Sequence, residues 1–290
     1  MESKLSTPRT VIRKHVRGVF VSIAFLLISS SSVFGGVLVA PTSVFLSETD
    51  RTGRITVQNP TDKPKEISIH IAYGIPLSDS LGEVQIALLD SGVTDPRCAM
   101  DWIKAFPQRV VLAPNSTQVI RLRANPPKDL PDGEYWARIV IRSQEGQTTL
   151  PTPDNAEKIT AKLNMVMQTA IVLKYRTGNL LSKLEVTKTD IHEHDSTVTA
   201  TISMANRGNV SYVGVLTCRL LDAAGKEISK SDMDLAVYYE LTRRIKLPVK
   251  GSGFARPFKV EVYITTDGRT DIADTDMIAG NVVNYSLLVQ

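Results

Sequence analysis

Cysteine is scarce in this chain: Cys98 and Cys218 are the two present. A pair so far apart is not the framework of bridges that staples small secreted domains, so both are expected as buried or free thiols. Histidine is hardly commoner, with four. His15 falls in the N-terminal stretch, His70 alternates with isoleucines, and His192-Glu193-His194 has Asp190 and Asp195 beside it. That last group lacks further ligands at a zinc spacing, and successive strand residues point to opposite faces. It reads as a solvated hairpin turn, and neither a metal nor any other cofactor is expected. Glycine-rich phosphate loops and the G-x-S-x-G, H-E-x-x-H and S-x-x-K arrangements are absent too. Without a nucleophile paired to a base, the chain is not expected to be an enzyme or to take a small-molecule substrate.

Long hydrophobic runs are also missing. The nearest to one, Val19–Ile28, follows Arg9, Arg13, Lys14 and Arg17 and precedes SSSSVFGG. It is short for a bilayer span, and basic, apolar and small residues in that order are the layout of a secretory signal. Residues 1–35 are therefore expected to be an export signal cleaved after Gly35, with an uncleaved anchor as the alternative. With Lys4 and Glu2 this leader carries all of the formal net charge of +4. The remainder is neutral, which excludes nucleic acid as a partner.

What is present is a series of short alternating segments between turn residues. Gly53–Asn59 and Glu66–Tyr73, joined by NPTDKP, read as a hairpin with Ile67, Ile69, Ile71 and Tyr73 on one face. RVVL and Thr117–Arg123, joined by APNS, read as another, with Arg121 and Arg123 outward. After Arg176 come seven or so further segments at the spacing of a sandwich. The expected fold is all-β, with two tandem sandwiches over residues 36–176 and 177–290 and Thr177–Asn179 as the joint.

Between them lies ITAKLNMVMQTAIVLKYR, Ile159 to Arg176. Its odd positions are apolar apart from Thr169 and its even positions are mostly polar, so it reads as one strand, roughly 55–60 Å long at about 3.3 Å per residue. Such a strand outruns its host sheet. Ile171 and Leu173 are expected to pack into their own sandwich, and Leu163, Met165 and Met167 to stand outside it.

The residues from Ala40 to Arg176 resemble the PapD-like periplasmic chaperones of pilus assembly. The likeness is carried by APTSVFLSE, ITVQNPTDKP, FPQRVVLAPNSTQVIRLR, LPDGEYWARIVI and MQTAIVLKYR, in that order. The resemblance implies two immunoglobulin-like domains set as a boomerang, a periplasmic location and monomeric protein. The implied partners are pilus or fimbrial subunits and an outer-membrane usher. It also implies that the last strand of the first domain is lent to a subunit lacking one of its own, with Leu163, Met165 and Met167 as donor residues and Ile159 and Ala161 further out. The family's two bases for the client's terminal carboxylate fall here on Ser43 and Val172, which are not basic; Lys174 is the candidate substitute, against the alternative of a solvated surface lysine. A domain-junction ion pair maps to Glu134 and Arg176, with Asp267 as a third member.

A different reading of the same residues is a secreted structural or adhesive module of stacked sandwiches without a client. It requires the long strand to be fully covered within the molecule.

Overall fold

The computed structural model describes residues 36–145 and 165–289, which belong to one compact unit. Among them there is no α-helix, only two short 3-10 segments. The first half contains β1 (Leu38–Ala40), β2 (Ser43–Ser47), β3 (Thr52–Gln58), β4 (Lys65–Ala72), β5 (Pro76–Ser78), β6 (Val84–Ile86), β7 (Ile103–Phe106), β8 (Arg109–Leu112), β9 (Thr117–Ala124), β10 (Gly133–Glu145) and β11 (Val166–Thr177). One sheet runs β1-β3-β9-β7 and the facing sheet β2-β11-β10-β4-β8. Alternation along each strand turns Ile55, Val57, Ile120 and Leu122 of the first sheet toward Ile67, Ile69, Ile139, Ile141, Ile171 and Leu173 of the second. Each such side chain, once buried, stabilises the sandwich by about 1.5–3 kcal/mol.

Neither expected hairpin forms. β3 and β9 lie in one sheet, β4 and β8 in the other, so the chain crosses between sheets at both turns. The fully buried Asn59 ties the crossings together: its side-chain amide donates to Lys63 O at 2.8 Å and Ala113 O at 3.0 Å, and its backbone N–H to Ser116 O at 2.9 Å. A period of two assigns a residue to a face but not a strand to a sheet, and isoleucines that would be neighbours in a hairpin here meet across the core. Tyr73 leaves that face and joins a separate cluster with Ile75, Trp136 and Tyr238. Arg121 and Arg123 are exposed, as their alternation requires.

The second half contains β12 (Leu184–His194), β13 (Thr197–Asn206), β14 (Tyr212–Leu221), β15 (Glu227–Val237), β16 (Glu240–Pro248), β17 (Lys259–Thr265) and β18 (Val283–Leu288). Its sheets run β12-β13-β16 and β15-β14-β17-β18 around a second core that includes Ile202, Met204, Leu216, Cys218 and Val262. The architecture is two tandem immunoglobulin-like sandwiches. His192 and His194 belong to β12 itself; the turn is Asp195–Ser196, both at positive φ (46° and 57°), which matches the twist of a two-residue hairpin. Both cysteines are free thiols.

One element is not announced by alternation. The β5–β6 hairpin reaches from the first sandwich to β16 of the second, where Ser78 Oγ donates to Thr242 O and accepts from Thr242 N, each at 2.7 Å. Val84 packs against the second core.

Candidate functional site

β11 pairs with β10 along its whole length, from Val166 opposite Gln144 to Thr177 opposite Gly133. On its other side β2 runs parallel to it, but only from Val172 opposite Ser43 to Arg176 opposite Ser47. From Val166 to Ile171 the outer edge has no strand partner among the described residues. Backbone N–H and C=O groups on such an edge are a template for another strand.

The same stretch changes environment. Tyr175, Leu173 and Ile171 fill the first core. Two residues on, Thr169 is half-buried; Met167 is 40% exposed and Met165 60%. One face of one strand therefore continues from core to solvent. The end of the Met167 side chain lies against Gly36, where a Cβ would stand 2.9 Å from its sulfur. Leu163, Ile159 and Ala161 lie outside the described residues, within which the strand spans Val166–Thr177.

The other face of β11 looks toward the second sandwich. Glu134 on β10 is 0% exposed and sits between two cations. Its Oε1 lies 3.2 Å from Lys174 Nζ and its Oε2 2.9 Å from Arg176 Nε. Oε1 also accepts from Trp136 Nε1 at 2.8 Å and from Ser211 Oγ at 2.5 Å. Burial would push this carboxyl up; Lys174, Arg176 and the Ser211 and Trp136 hydrogen bonds overcome it and hold the group at about 2. The Phe45 ring lies under the Arg176 guanidinium at 4.5 Å, and Arg176 Nη1 donates to Asp276 O at 2.6 Å.

Lys174, expected as a carboxylate anchor or a solvated surface lysine, is not solvated: it is 2% exposed and donates to Ser211 Oγ at 2.5 Å as well as pairing with Glu134. Its even position would be wet in an isolated sandwich; the second sandwich covers it. Lys174 is the third member of the junction cluster. Asp267, expected in that role, is exposed and makes no ion pair among the described residues.

Ser43 and Val172, where the resemblance leads two bases to be expected, are Cα partners across β2 and β11. The next residue in that row is Arg138 on β10, opposite Val172. It is 6% exposed; its Nε donates to Gly74 O at 2.9 Å, and no carboxylate pairs with it among the described residues. Sequence reading missed this base because β10 reads as an unbroken core strand. A second bracket was missed as well: Asp95 accepts from Tyr73 of the first sandwich and, at 2.8 Å, from Tyr239 of the second. Burial first, then Asp95, pushes both phenols up.

No family model matches the chain, and no curated protein matches it. Among solved structures it is similar to the YadV chaperone, with a TM-score of 0.44 and 15% identity over 87% of this chain and 99% of that one. It is similar to the CupB2 chaperone of Pseudomonas aeruginosa (TM-score 0.43, 12% identity, 87% of this chain and 100% of that one). It is also similar to a chain of the CsuC-CsuE chaperone and tip adhesion subunit complex from Csu pili of Acinetobacter baumannii (TM-score 0.42, 10% identity, 86% and 97%).

Proposed function

We propose that this protein is a periplasmic chaperone of pilus or fimbrial subunits that lends the outer edge of β11 to a subunit lacking a strand. The observation that carries this reading is the run Met165–Ile171, where one strand face passes from core to solvent while its outer backbone edge stays unpaired. A client strand laid there would satisfy those backbone groups and cover Met165 and Met167. Each methionine so covered contributes on the order of 1.5–3 kcal/mol before the costs of association. Methionine also adapts to irregular pockets, which suits several related clients. The resemblance assigns Leu163, Ala161 and Ile159 to the same donor face, and they lie outside the described residues. The exposed methionines count against a client-free display module.

Arg138 takes the place of the clamp bases. It shares the row of Ser43 and Val172, and a buried guanidinium without an acid is stabilised by an anionic ligand such as a terminal carboxylate. Lys174 is committed to Glu134.

Co-expression with genomic neighbours followed by pull-down tests the reading. Met165→Glu is expected to leave the protein folded and to abolish co-purification of the subunit; a folded Met165→Glu variant that still carries the client rules out strand donation through this face. Arg138→Ala is expected to weaken the complex without abolishing it.

A further inference from the structure

The sheet β1-β3-β9-β7 turns its other face to solvent, and that face is charged with one sign. The inward set, with Ile55, Val57, Ile103, Ala105, Ile120 and Leu122, is core. The outward set holds Arg54 on β3, Arg121 and Arg123 on β9 and Lys104 on β7, all exposed, and no Asp or Glu. None of the four makes an ion pair among the described residues. The register sets like charges directly opposite: Arg54 faces Arg121, and Lys104 faces Arg123. Such pairs destabilise a sheet, and the chain beyond the leader is neutral, so this is a local excess. Phe106, 61% exposed, lies on the far side of Arg121 from Arg54, and Val119 is exposed on the same face.

We infer that this face docks on a lipid surface rich in anionic phosphate headgroups, with Arg54, Lys104, Arg121 and Arg123 on the phosphates and Phe106 entering the boundary beneath them. Guanidinium groups bind phosphate through paired N–H donors. Bases gathered around an exposed aromatic ring are the composition of an interfacial surface, in which charge and apolar burial act together. An acidic polypeptide would match the charges and leave the ring in water. The site is on the opposite sheet from β11, so a docked molecule keeps its donor edge free, and the inference stands whether or not strand donation does.

Sedimentation with vesicles of phosphatidylglycerol and phosphatidylcholine, against phosphatidylcholine alone, tests it. Binding is expected only to the anionic vesicles and is expected to weaken as salt rises. The double variant Arg121→Glu, Arg123→Glu, with an unchanged circular dichroism spectrum, should lose about tenfold or more in affinity. Phe106→Ser should lose several-fold, while Arg109→Glu, on the other sheet, should behave as the parent. Absence of anionic-vesicle binding, or equal binding to neutral vesicles, overturns the inference. So does binding to soluble polyglutamate as tight as to the vesicles and indifferent to Phe106→Ser, which would identify an acidic protein partner instead.

Discussion

Lys174 Nζ lies 3.2 Å from Glu134 Oε1 inside the junction of the two sandwiches, with both side chains almost wholly out of water. Neither charge is affordable alone. With Arg176 on the second oxygen and Ser211 reaching in from the other sandwich, the carboxylate fixes where one domain sits on the other.

Removing Glu134 strands two cations. Glu134→Ala is expected to lower stability by about 3–5 kcal/mol, the usual cost of breaking a buried pair from one side. Asp267→Ala, outside the cluster, should stay within about 0.5 kcal/mol. Denaturant unfolding of the two variants checks both values.

The same carboxyl makes stability depend on acid. Its folded value of about 2 lies below the ordinary 4.5, so the unfolded chain binds the proton first as pH falls. The contribution is complete above pH 4.5 and is lost as the pH falls through about 2, a total of about 3 kcal/mol. Unfolding midpoints measured from pH 6 down to pH 2 should fall across that window, and Glu134→Gln should flatten this part of the curve.

Tyr239 is tied to Asp95 across the junction, and Ser78 to Thr242. Tyr239→Phe and Ser78→Ala are each expected to cost about 1 kcal/mol. The two anchors hold separate contacts, so the losses should add in the double variant.

Cys218 is 0% exposed and burial pushes its thiol up to about 12, with Asp232 adding to the shift. It should resist a thiol reagent in the native protein at pH 8 and react at once in denaturant. Rapid native labelling at Cys218, mapped by mass spectrometry, would contradict the placement.

Much of this was legible from alternation. Ile171 and Leu173 fall in the core and Met165 and Met167 outside it because period two reports burial faithfully where a strand has one wet side. It failed where faces are covered by something distant. β3 and β4 look like a hairpin because each has a β-branched apolar face and a proline-bearing turn lies between; nothing local says that the turn crosses sheets. Lys174 and Glu134 sit at positions that would be solvated in a single sandwich, and only the second sandwich, contributing Ser211, buries them. Arg138 is hidden in sequence by the apolar run on either side of it.

Amide hydrogen exchange over Val166–Ile171, with and without a co-purified subunit, reads the unpaired outer edge of β11 itself. Added subunit should slow exchange along this stretch, while Val172–Arg176, already paired with β2, should change little. Exchange over Val166–Ile171 that is unaltered in a stable complex would mean that the client is held elsewhere.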